Sequence, residues 1–188
     1  MATTNKSRYA ILGVLCMKPG SGYDIKKFCD KTISHFWNEN FGHIYPVLKQ
    51  LEQEGLIEAE NSMEQDRKKL YHVTEQGREA FYNWLIQAVA VTPPRSELLL
   101  KLSFGNYMPK NKVIEMLQEL KERHNRNLSL YKEMEASYIT NEAAKQDSTY
   151  PYWLSSLRYG IVIAETTQLW CEDTIYLLQN SIDQKEAL

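Results

Sequence analysis

The sequence has no run of about 18 apolar residues, the length that a membrane-crossing helix requires, so no membrane partner is expected. Its opening residues, MATTNKSRYA, hold no apolar core of the signal-peptide kind, and a cytoplasmic location is the expectation. Cysteine is scarce: Cys16, Cys29 and Cys171 are scattered, odd in number and without a CxxC pair. That excludes a disulfide framework and fits a reducing compartment. The histidines His35, His43, His72 and His124 build no HExxH motif, and no GxSxG occurs. Gly20-Ser21-Gly22 lacks the Lys-Ser/Thr pair that would complete a phosphate loop and reads as a turn with a helix cap. Catalysis, a cofactor and a metal are therefore not expected. An excess of charge of one sign is also lacking, with 22 Lys+Arg against 24 Asp+Glu. Any affinity for nucleic acid must then rest on where the cations lie rather than on their number.

What is present suits a folded chain of two small domains. Hydrophobic residues make up 43% of 188, enough to build a core and to exclude general disorder. Thr92-Pro93-Pro94 is the clearest boundary, because paired prolines cannot continue a helix and stiffen a connector. Domains of residues 1–91 and 92–188 are predicted. The first reads as helix, helix, helix, hairpin, helix. Tyr9 to Leu15 is an apolar run stopped by Lys18-Pro19-Gly20, and Ser21 with Asp24 matches a capping box that opens the second helix. A third helix over 41–54 carries Ile44, Val47, Leu48 and Leu51 at helical spacing, with Gly55 as its stop. Strand signals follow at 56–60 and 69–74, with Leu70 or Tyr71 turned inward, around a polar tip at 61–68. Thr74 is placed to cap a fourth helix bearing Ala80, Phe81, Trp84 and Leu85. The fold class is mainly α with a small β-wing: a winged helix–turn–helix domain followed by an α-helical dimerisation domain.

The second domain reads as one short helix and two long ones. Residues 98–104 are apolar enough to be buried. Leu117, His124, Tyr131 and Tyr138 recur every seven residues along the first long helix. In the last helix, Leu157, Ile161, Ala164, Gln168, Cys171, Ile175 and Leu178 form a heptad seam, with Ile163, Trp170 and Leu177 as a second stripe. One stripe can be buried on the chain's own helices; a second calls for another surface. A homodimer through Leu157, Ile161, Ile163, Trp170, Ile175, Leu177 and Leu178 is the expectation, and periodicity alone leaves open which stripe serves it.

The third helix presents His43, Tyr45 and Lys49 near its start and on its outer side, where a recognition helix meets base edges in a major groove. Arg67-Lys68-Lys69 adds a basic run at the wing, suited to phosphate or, for Arg67, minor-groove contact, although Glu64 and Asp66 dilute it. A winged helix can also serve as a protein–protein adaptor without sequence-specific DNA binding.

Taken in order, Tyr9-Ala10-Ile11-Leu12-Gly13-Val14-Leu15, Ser21-Gly22-Tyr23-Asp24-Ile25, Phe36-Trp37, Ile44-Tyr45-Pro46-Val47-Leu48-Lys49-Gln50-Leu51-Glu52-Gln53-Glu54-Gly55-Leu56-Ile57 and Lys68-Lys69-Leu70-Tyr71-His72-Val73-Thr74-Glu75-Gln76-Gly77 resemble the PadR family of transcriptional regulators. Residues 93–180 are similar to the long α-helical C-terminal domain of one subfamily, entered through Glu97-Leu98-Leu99-Leu100-Lys101. The resemblance implies a dimeric repressor on a pseudo-palindromic, double-stranded operator. It puts Tyr23 and Tyr45 on DNA-contact positions, with His43 and Lys49 on the same helix and Lys68 and Lys69 on the wing. It also implies a small aromatic, phenolic-acid-like effector. Tyr150, Tyr152, Trp153, Trp170 and Trp84 are either a pocket for it or ordinary core packing.

Overall fold

The computed structural model describes residues 6–34, 36–37, 40–60, 69–90 and 95–181. The chain divides into two units, Met1–Val91 and Thr92–Leu188. Arg67 and Lys68 at the wing tip, His35, and the Thr92-Pro93-Pro94 connector lie outside the described residues.

In the first unit, α1 (Ser7–Met17) runs to α2 (Gly22–Thr32), α3 (Phe41–Gln53), strands β1 (Ile57–Glu60) and β2 (Leu70–Val73), and α4 (Glu75–Leu85). Local chemistry sets these boundaries. Ser21 and Asp24 close the expected capping box: the Asp24 amide donates to Ser21 Oγ at 3.3 Å and the Ser21 amide to Asp24 Oδ2 at 3.0 Å. Asn40 caps α3 by accepting from the His43 amide at 3.0 Å, and Thr74 caps α4 by accepting from the Gly77 amide at 3.1 Å. Gly55 takes φ +70°, so the amides of Leu56 and Gly55 reach back to the carbonyls of Leu51 (2.9 Å) and Glu52 (3.1 Å), the Schellman pattern that ends α3.

The strands pair antiparallel in the register Ile57↔Val73, Glu58↔His72, Ala59↔Tyr71, Glu60↔Leu70. Gly20, read from sequence as part of a helix stop and turn, exchanges backbone hydrogen bonds with Tyr71 at 3.0 and 3.2 Å and so anchors the wing to the α1–α2 turn. Of the two candidates for the inward position, Tyr71 is the buried one. The core joins Ile11, Leu12 and Leu15 of α1, Ile25 and Cys29 of α2, the Ile44/Val47/Leu48/Leu51 face of α3, and Leu56, Ile57 and Tyr71. Gly77 has no room for a side chain, since a Cβ there would lie 2.0 Å from the Leu56 carbonyl oxygen. That close approach, with Thr74 Oγ1 donating to the Gly55 carbonyl at 2.8 Å, fixes the wing and α4 to the end of α3.

In the second unit, α5 (Glu97–Ser103) and a 3₁₀ turn (Gly105–Tyr107) precede α6 (Lys110–Thr140), the short α7 (Glu142–Lys145) and α8 (Tyr150–Asn180). The two long helices run antiparallel, laced by Lys121–Glu172 (2.7 Å), Lys132–Glu165 (2.8 Å) and Arg158–Glu135 (2.6 Å). Val113, Leu117 and Cys171 form one core cluster; Tyr131, Leu157 and Ile161 form another. Ala164 is also buried on α8, and the amide nitrogen of Gln168 is buried there without a hydrogen-bond partner among the described residues.

One expectation is corrected by this packing. The 98–104 segment is not buried: Leu98 and Leu102 pack on the Val113 cluster, but Leu99, Leu100 and Phe104 are exposed. A helix of two turns resting on one surface hides one stripe only. The heptad seam is spent within the chain: Leu157 and Ile161 are buried against α6, and Ile175 and Leu178 pack beside Cys171. Of these four, Leu157 and Ile161 are buried within the chain and Ile175 and Leu178 are partly so. Trp170 joins the same cluster at its edge, while Ile163 and Leu177 remain exposed, beside Val162, Leu169 and Tyr176.

Candidate nucleic-acid interface

The α3 helix owes its placement to an amphipathic period. Its Ile44/Val47/Leu48/Leu51 face is buried, and the opposite side exposes His43, Tyr45, Lys49 and Gln50. Pro46 has no N–H to give, so the Gly42 carbonyl near the helix start has no i+4 partner in the ladder.

Aromatic rings gather at this end of the helix. Phe41 lies between Tyr23 of α2 (ring centroids 6.4 Å, near-parallel) and Tyr45 of α3 (6.2 Å). Exposures of 54%, 44% and 52% for Tyr23, Phe41 and Tyr45 mean that these rings form a surface strip rather than core. Gly22 makes room for it: a Cβ at that position would meet Tyr45 Cε1 at 2.8 Å. Lys26 crosses above, its ammonium 5.9 Å from the Phe41 centroid while it pairs with Asp30 one turn on. The sequence reading carried Tyr23 and Tyr45 but missed Phe41 and the seat supplied by Gly22. The cue available for Phe41 was a large apolar residue at the first helical position, ahead of the core stripe.

Two cations, Lys69 and Arg8, are held by carboxylates at the C-terminal end of α3. Lys69 Nζ, at the foot of β2, donates to both Glu52 oxygens at 2.9 and 2.8 Å and lies 5.3 Å from the Tyr71 centroid. The Glu52 hydrogen bond raises the Lys69 pKa and keeps the ammonium charged. Burial raises that of the Tyr71 phenol, against the pull of Lys69. Arg8 of α1 pairs with Glu54, which also accepts from Gln50 at 2.8 Å. His72 Nε2 lies 3.0 Å from Glu60 across the wing. The acidic residues Glu52, Glu54 and Glu60 are thus pairing groups. Among the described residues, no three His, Cys, Asp or Glu side chains approach closely enough to hold a metal ion. Among the described residues, no helix is long and apolar enough to cross a membrane.

A tri-helical core, a wing tied to the end of its third helix, and an exposed polar–aromatic outer face on that helix define a winged helix–turn–helix protein. Residues 11–83 match the transcriptional regulator PadR-like family and residues 94–179 match the virulence activator alpha C-term family. Residues 11–83 thus carry a PadR-like domain, and the chain over most of its length is similar to transcriptional regulators of that family. It is 26% identical over 171 residues to the negative transcriptional regulator PadR of Bacillus subtilis (strain 168), a match covering 80% of this chain and 94% of that one. The crystal structure of a PadR-like transcriptional regulator from Bacillus cereus superposes with a TM-score of 0.75 at 29% identity, covering 93% of this chain and 98% of that one. The Vibrio cholerae virulence activator AphA does so with a TM-score of 0.77 at 26% identity, over 92% and 97% of the two chains. Bacillus subtilis PadR shares the fold at 23% identity in its complex with operator DNA (TM-score 0.76, 92% and 98% covered). Its complex with p-coumaric acid does so at 22% identity (TM-score 0.74, 92% and 98% covered).

Proposed function

We propose that this protein is a repressor that binds a pseudo-palindromic operator as a homodimer and leaves it when a small aromatic acid binds. The observation that carries the reading is the outer face of α3, where Tyr45, His43 and Lys49 are exposed on a helix whose other side is locked into the core. That face has the shape and chemistry of a major-groove reader. Tyr23 lies beside it, and Lys69, with Arg67 and Lys68 of the wing tip, supplies phosphate contacts. On binding, phosphate oxygens compete with Glu52 for the Lys69 ammonium.

Dimerisation is assigned to the outer face of α8, through Ile163 and Leu177 with the edge of Trp170. This apolar stripe is left over once the seam is buried against α6. Repression and release by an aromatic acid are supported by the relatives: Bacillus subtilis PadR is named a negative regulator and is known in complex with operator DNA and with p-coumaric acid. Tyr152, exposed near the start of α8, and Tyr150, tilted against Tyr138 at 6.5 Å, offer aromatic surface to such a ligand.

Selection of bound duplexes from random DNA tests the reading, followed by titration of the enriched duplex with a panel of phenolic acids. An enriched inverted repeat released by at least one acid supports it. A protein that enriches nothing is not a sequence-specific regulator and fits the adaptor role instead.

A further inference from the structure

We propose that Phe41 is a specificity-determining residue that reads the C5-methyl group of thymine in the major groove. The inference rests on the operator-binding reading above and goes beyond it by naming a base feature and the side chain that senses it.

Phe41 is the first residue of α3, the end of the helix that approaches base edges in this class of domain. Its ring is nearly half exposed although it is wholly apolar, and it does not belong to the core cluster beneath it. It is held in place all the same. Tyr23 and Tyr45 flank it at 6.4 and 6.2 Å in near-parallel planes, and Lys26 caps it at 5.9 Å. The side chain is thus fixed in advance, and its ordering cost is met before any ligand arrives.

The flanking tyrosines carry hydroxyls that can reach phosphate or base acceptors. Phe41 has no polar atom, and its match on a base edge must be apolar. The thymine methyl is the one apolar group that the four standard bases present in the major groove. Polar surface there would be desolvated by the ring without compensation. The same ring therefore favours thymine and disfavours other bases at its position.

The test uses the full chain and the operator enriched by it, with each thymidine replaced in turn by deoxyuridine, which pairs identically and lacks only the methyl. In each half-site, one replacement should weaken binding about fourfold, the contribution of one buried methyl group. Phe41→Leu should keep that penalty and Phe41→Ala should abolish it. Circular dichroism melting checks folding, and Phe41→Gln replaces the alanine variant if that one unfolds. A wild-type protein indifferent to every deoxyuridine, or a Phe41→Ala protein with the same penalty as wild type, overturns the proposal while leaving operator binding intact. Failure to enrich any duplex overturns the operator reading and this proposal with it.

Discussion

Gly22 and Tyr45 act as one unit at the scale of residues. The ring occupies the space that a Cβ at position 22 would need, with Tyr45 Cζ 3.0 Å from it. Because the ring is at the surface it can swing away, so Gly22→Ala should cost little stability. It should nevertheless lower operator affinity about tenfold, roughly the value of one specific contact. Parallel thermal melts and anisotropy titrations check this, and a large loss of melting temperature would assign Gly22 to folding instead. Glu52 is the opposite case, a residue that on the proposed reading restrains binding. Glu52→Gln weakens the clamp on Lys69 and should raise affinity for every duplex a few-fold at low salt, since an exposed ion pair holds its lysine only weakly. The gain should vanish as salt screens it; a gain confined to one sequence would contradict the clamp. Tyr45 and Lys49 were legible in the sequence because a 3.6-residue period fixes which side chains oppose Ile44 and Leu48. Neither the Gly22 seat nor the Glu52–Lys69 pair was, as both join segments far apart in the chain.

Elements read well wherever the signal was local. The Ser21–Asp24 box, the Thr74 cap and the Gly55 stop are each written within four residues, and the structure realises all of them. The short α5 shows the limit: apolar composition predicted burial, but exposure of Leu99 and Leu100 depends on what surface the helix meets. The α6–α8 pair carries a titration of its own. Burial, reinforced by the like charge of Arg123, lowers the pKa of His124 below its ordinary value of 6.5. The folded pair therefore prefers neutral His124. Its stability contribution is intact above pH 6.5 and is lost as pH falls below that value through the folded pKa. Urea midpoints of the C-terminal unfolding transition should drop between pH 7.5 and 5.5, and His124→Gln should reduce that drop. Equal drops in both proteins would show that other groups dominate.

At the scale of the whole molecule, the exposed apolar area on α8 is the feature on which the proposed homodimer rests. The heptad arithmetic gave two stripes but could not say which one α6 would cover. The choice depends on how α6 and α8 pack, and the structure gives the seam to α6. Ile163→Glu with Leu177→Glu should yield monomers by light scattering at micromolar concentration with helix content retained. A persistent dimer would move the interface elsewhere. Monomers should also bind the operator far more weakly, since two linked recognition helices share one binding event.

Hydroxyl-radical footprinting of the full chain on its enriched duplex tests the central claim most directly. Two α3 helices on one face of the duplex predict two protected patches about 34–36 Å apart, or a multiple of that spacing. They also predict that Tyr45→Ala with Lys49→Ala erases both. A single patch, or protection that spreads evenly along the duplex, would contradict the account.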